Sequence, residues 1–159
     1  MKRSAVHFTL LFIPLVLMVL ACSNSNDPEP NLLFSRMEIT YIKSGGWIDT
    51  SKLFIHKNGS VEAYILAQNK TDTISSGSIV LSEEDRFDLA RLFEPFSTFE
   101  PYYEPENPIT DQDLHLTILV YEDVPDTVLV YMPDQAVIPD GMRLILEQMG
   151  SLLDHIVGQ

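Results

Sequence analysis

The chain has 159 residues, of which 10 are basic and 23 acidic, giving a formal net charge of −13. That balance excludes nucleic acid as a partner, because binding it needs a basic face that displaces counterions from phosphates. There is 1 cysteine, so no internal disulfide can form and a folded domain must be held by its hydrophobic core.

Lys2 and Arg3 make a positive start, and an apolar run from Phe8 follows, ending at Cys22. The run is too short to cross a bilayer as a plain helix, which takes ~20 residues. Ala21 puts a small residue before the cysteine, as a signal-peptide cleavage site requires. Val19-Leu20-Ala21-Cys22 resembles the lipobox of bacterial lipoproteins. The resemblance implies that 1–21 is removed and that Cys22 takes a diacylglyceryl thioether, becomes the mature N-terminus and is N-acylated, with chains such as palmitate. Several chains give stable attachment, since each buried methylene contributes ~0.8 kcal/mol and one chain alone holds marginally. The expected location is the cell envelope. In Gram-negative lipoproteins an Asp after the cysteine favours the inner membrane, so Ser23 implies the outer membrane for a Gram-negative source, on its periplasmic or surface face.

Residues 22–33 read as a polar tether, with Pro28 and Pro30 among Asn, Ser, Asp and Glu. Removing 1–21 leaves 138 residues, with 8 basic and 23 acidic and a formal net charge of −15. That length suits one domain, 34–159. Its acids are repelled by anionic head groups, so the acyl chains on Cys22 rather than the protein surface are expected to meet the membrane.

Along the domain, Met37, Ile39 and Tyr41 alternate with Arg36, Glu38 and Thr40, a half-buried strand. Gly45-Gly46 marks a turn. Segments 53–57 and 61–67 read as two strands around Asn58-Gly59, which predicts a type I′ hairpin. A fourth strand is predicted over 71–81, with a break near Gly77. Ser82 followed by Glu83, Glu84 and Asp85 predicts an N-cap and an acidic first turn. The helix carries Phe87, Leu89, Ala90, Leu92, Phe93 and Phe96 on one face and is limited by Pro95 to about four turns. Leu114, Leu116, Ile118 and Val120 alternate with His115, Thr117, Leu119 and Tyr121 in a fifth strand, with His115 expected opposite the core. Residues 122–126 turn into a sixth. Pro139 then opens a last helix whose buried stripe is Met142, Ile145, Leu146, Met149, Leu152, Leu153 and Ile156. The order ββββ-α-ββ-α predicts an α+β fold, an antiparallel sheet of about six strands with both helices packed on one face.

Catalytic motifs are missing. There is no glycine-rich phosphate loop and no G-x-S-x-G, and the only cysteine is the one assigned to lipid. His56, His115 and His155 have no metal-ligand spacing, so no cofactor and no metal site is expected. The segment 97–113 is unusual in joining aromatics, prolines and carboxylates in one long connection. Tyr102 and Tyr103 are candidate aromatic contacts for a protein or peptide, as is Trp47 beside its two glycines. Glu104, Glu106, Asp111 and Asp113 are a weaker candidate for a cation such as calcium.

The layout Tyr41…Gly45-Gly46-Trp47, Leu81-Ser82-x-Glu84, Asp113…Leu116 and Pro139…Leu144 resembles emfourin-like inhibitors of thermolysin-type metalloproteases. That resemblance implies a small α+β inhibitor and carries over no inhibitory residue. The expected function is a lipid-anchored, non-catalytic module that binds another envelope protein or peptide. The alternatives are an emfourin-like protease inhibitor and, further off, a carboxylate-dependent hydrolase.

Overall fold

The computed structural model describes residues 33–45, 48–68, 71–108 and 113–158. Cys22, Trp47 and Asp111, and with them the signal segment and most of the tether, lie outside the described residues. Seven strands form one sheet: β1 (Met37–Gly45), β2 (Ile48–Ile55), β3 (Ser60–Leu66), β4 (Thr73–Val80), β5 (Tyr102–Tyr103), β6 (Leu114–Tyr121) and β7 (Val124–Tyr131). Among the described residues the sheet is accompanied by the helices α1 (Glu83–Phe93) and α2 (Asp140–Val157) and a 3-10 turn (Phe96–Thr98). The strand order is β4-β3-β2-β1-β6-β7-β5. The first four strands meander, and the β6–β7 hairpin returns to the free edge of β1. Every pairing is antiparallel except that of β5 with β7. This is the expected α+β layering, with a seventh strand supplied by Tyr102 and Tyr103.

One face of the sheet and the apolar sides of both helices make the core. Ile39, Tyr41, Leu53, Ile55, Val61, Ala63, Val128 and Val130 meet Leu89, Phe93, Met142, Ile145 and Met149 there. Ser82 caps α1: its Oγ accepts the Asp85 N–H at 3.1 Å while the Asp85 carboxylate accepts the Ser82 N–H at 3.2 Å. This reciprocal box satisfies donors that the first helical turn leaves open. The helix closes after 11 residues, three turns rather than four, as Pro95 approaches. β4 runs unbroken through Gly77, where α2 crosses so closely that a Cβ would lie 2.6 Å from the Ile156 carbonyl oxygen.

Two turns depart from expectation. At Asn58-Gly59 only Gly59 has positive φ, +83°, and the His56 N–H donates to the Ser60 carbonyl at 2.9 Å. This is a three-residue loop closed by a left-handed glycine, not a type I′ turn. The two-residue turn lies instead in the β6–β7 hairpin, where Glu122 and Asp123 have φ of 50° and 66° and Tyr121 pairs directly with Val124.

The sidedness of β6 is the larger correction. His115 and Thr117 are buried against the helices, and Leu114, Leu116, Ile118 and Val120 stand on the opposite face. The register with β1 decides it, since Thr117 pairs with the buried Tyr41 and Leu119 with Ile39, and directly opposed residues share a face. Thr117 is small where Tyr41, the bulkiest fully buried side chain, fills the space. A leucine at 117 would compete with that ring for volume in a close-packed interior.

Candidate functional site: the open face of the sheet

The face away from the helices carries an apolar band over β1, β6 and β7. Ile42 pairs with Leu116 and Leu116 with Leu129, while Leu114 pairs with Tyr131 and Thr40 with Ile118. All these apolar side chains are half-buried, shaded by one another, with no helix above them among the described residues. Antiparallel sheets with one solvated face ordinarily alternate apolar-in with polar-out. β6 reverses this: four of its five aliphatic side chains, all but Leu119, point outward, while beneath it two polar groups are enclosed. His115 Nε2 and Thr117 Oγ1 have no hydrogen-bond partner among the described residues.

β5 extends the band. Consecutive strand residues point to opposite faces, so the two tyrosines separate. Tyr102 pairs with Leu129, is 46% exposed, and donates its hydroxyl to Glu104 at 2.8 Å. Tyr103 pairs with Val130, packs against the core and accepts the Glu100 N–H on its hydroxyl at 2.9 Å. The band is thus bordered by Tyr102, with a loose ion pair between Lys43 and Asp113, 3.9 Å, at the Leu114 end of β6.

The carboxylates do not converge. Glu104 is engaged by Tyr102, Asp113 faces Lys43, and Glu106 is exposed on the loop beyond β5. Among the described residues no group of three or more His, Cys, Asp or Glu side chains could hold a metal ion. The three histidines are also apart. His56 lies just past β2, 3.8 Å from Glu62, and His155 lies in the last turn of α2.

His115 is paired with Tyr41, hydroxyl to Nδ1 at 2.9 Å with the rings edge-on. Burial, helped by the nearby Lys43 charge and opposed by Asp113 and Asp134, pushes the imidazole down to about 4 from 6.5. Burial likewise raises the Tyr41 phenol, so both rings are neutral near pH 7. This enclosed pair braces β1 to β6. A separate cleft of about 480 Å³, floored by Met37, Ala90, Phe93 and Leu119, lies on the helix side of the sheet.

Sequence reasoning missed the open band, although a signal existed. Aliphatic residues at both parities of 114–121 are the mark of a strand covered on both faces. No helix among the described residues is long and apolar enough to cross a membrane. Compared with known proteins, the chain matches no family model and no curated protein.

Proposed function

We propose that this protein is a lipid-anchored module of the bacterial cell envelope that binds another envelope protein or peptide, without catalysis, through the open face of its sheet. The observation that carries the reading is the reversal in β6, with Leu114, Leu116, Ile118 and Val120 turned outward over a buried His115 and Thr117. Contiguous exposed apolar area on a soluble domain marks a binding surface more often than chance packing. The band lies on one face of three adjacent strands, so it suits a partner that lays an apolar strand or sheet across it, sheets packing face to face about 10 Å apart. Tyr102 adds an aromatic side chain with a polar tip at its border, a residue type enriched at energetic centres of interfaces. Attachment through acylated Cys22, with 23–33 as tether, would hold the domain beside its partner, at the outer membrane for a Gram-negative source.

The test is a photocrosslinking side chain at Leu116 in the full-length lipoprotein in its own cells, with a second probe at exposed Leu144 on α2 as control. A defined partner crosslinked from 116 and not from 144, and lost when Leu129→Lys is added, is the expected result. Equal crosslinking from both positions would refute the site. Crosslinks only to another copy of this chain would make the face a self-association surface. Separately, Cys22→Ser should abolish acyl labelling and release the protein from membranes; retention with labelling unchanged would overturn the anchor.

A further inference from the structure

The two edges of the sheet differ. β5 is a two-residue edge between Pro101 and Pro105, a short and proline-flanked edge of the kind that discourages pairing. β4 ends the other side with eight residues, Thr-Ile-Ser-Ser-Gly-Ser-Ile-Val, without a charge or a proline. Its one irregularity is a bulge at Ile74, which the pairings of Ile65 with Ser75 and of Leu66 with Thr73 pass over. The Leu81 N–H donates to the Gly59 carbonyl on the β3 side at 2.9 Å. By strand alternation, the N–H and C=O of Val80, Ser78 and Ser76 therefore point away from β3. Ile74 and Val80, 58% and 77% exposed, are the large apolar side chains of this strand that stand in solvent.

We propose that β4 pairs antiparallel with β4 of a second copy of this chain about a twofold axis through Gly77. Like-facing residues must oppose each other in a continuous sheet, which restricts the axis to alternate register positions. An axis at Ser76 would set Val80 against Asp72, and one at Ser78 would set Ile74 against Ser82. The axis at Gly77 alone opposes Ile74 with Val80, twice by symmetry, and Ser76 with Ser78. The backbone groups of Ser76 and Ser78 then point at each other, in step with the pattern set by Leu81. An apolar cross-strand pair at each end and a small-residue centre make the edge self-complementary, as an isologous interface requires. α2 approaches Gly77 from the helix face, and β4 is the last strand of the sheet on this side, paired only with β3 among the described residues. The surface is distinct from the β1–β6–β7 band, so either can fail without the other. The twofold axis stands perpendicular to the sheet and puts both open faces on one side of the dimer.

The test uses full-length chain in non-ionic detergent, in two differently tagged forms, S76C and S78C. Residues opposed across an antiparallel pair lie within disulfide reach, whereas 76 from its own symmetry mate lies near or beyond the ~7 Å limit. Mixing the forms under mild oxidation should give a covalent dimer carrying both tags, well above either form alone and above the unsubstituted chain with only Cys22. Sedimentation of the unsubstituted chain should give a dimer mass. Val80→Lys, at an exposed position, should keep the circular dichroism of the fold and weaken the dimer about tenfold or more. No mixed crosslink, equal crosslinking in all mixtures, a monomer throughout, or a dimer indifferent to Val80→Lys would each overturn the pairing.

Discussion

At His115 an imidazole sits 9% exposed between a tyrosine hydroxyl and the helices, and its proton affinity is correspondingly reduced, to about 4. In the unfolded chain the ring takes up its proton near 6.5, so below that pH the unfolded state binds a proton that the folded state refuses. The resulting stability is fully present above pH 6.5 and is lost as pH falls through about 4, a loss on the order of 3 kcal/mol. Urea midpoints measured at about pH 7.5 and 4.5 should diverge more for the native chain than for His115→Phe. Equal slopes would show that carboxylates account for the acid sensitivity. Two residues further on, on the same face, Thr117 Oγ1 is enclosed without a hydrogen-bond partner among the described residues. Thr117→Val keeps the shape and removes the stranded hydroxyl, so it should stabilise the fold by about 1 kcal/mol in chemical denaturation. A loss of that size would mean the hydroxyl is satisfied in solution.

Among the elements, the turns hold the clearest local conflict. Glu122 and Asp123 occupy left-handed backbone that side chains with a Cβ resist by ~1 kcal/mol or more. Their contacts, Arg36 to Glu122 at 2.6 Å and Lys57 to Asp123 at 3.2 Å, are exposed ion pairs of small worth. Asp123→Gly should therefore raise the thermal midpoint by the equivalent of about 0.5–1 kcal/mol; a fall would credit the Lys57 pair with the larger role. Gly77→Ala should act oppositely, since its Cβ would meet backbone of α2 at 2.6 Å, and overpacking costs about 1–3 kcal/mol. These cases mark the boundary of what the sequence discloses. Period-2 alternation identified β1, and Ser82 with three acids identified the start of α1, because each signal acts through its own few residues. Asn58-Gly59 announced a hairpin but misled on its turn type, and the turn expected over 122–126 closes within Glu122-Asp123, since the register of β6 with β7 overrides a weak local preference. The face of β6 was misread for a related reason: four aliphatics at one parity point to a core side opposite His115, and Leu119 at the other parity is too weak a signal to reverse it. Packing against Tyr41 made the choice, and that contact spans 76 positions of chain from residue 41 to residue 117.

For the molecule as a whole, charge and apolar surface act against each other. The chain carries a large net negative charge, so copies repel, yet it bears an uncharged edge at β4 and an apolar band over β6. The tyrosines of 102–103 were legible as a candidate contact. Tyr103 turns into the core, and the surface that Tyr102 borders was not legible, because it is assembled from β1, β6 and β7 by pairings that no local pattern encodes. Opposed charge and surface fix the salt response of the β4 pairing. An interface built from ion pairs weakens as salt screens its attraction, whereas the β4 edge contributes no charge from Thr73–Val80 and its opposition comes from the net negative charge of each copy. Raising ionic strength from about 0.01 M to 0.15 M shortens the screening length from about 30 Å to 8 Å, which removes most repulsion beyond the immediate contact. The dimer dissociation constant, followed by sedimentation across that range, should therefore fall as salt rises, and Val80→Lys should flatten or reverse the trend by adding a cation to an acidic neighbourhood. A native dimer that weakens with salt would place charged residues, and not the β4 edge, at its centre.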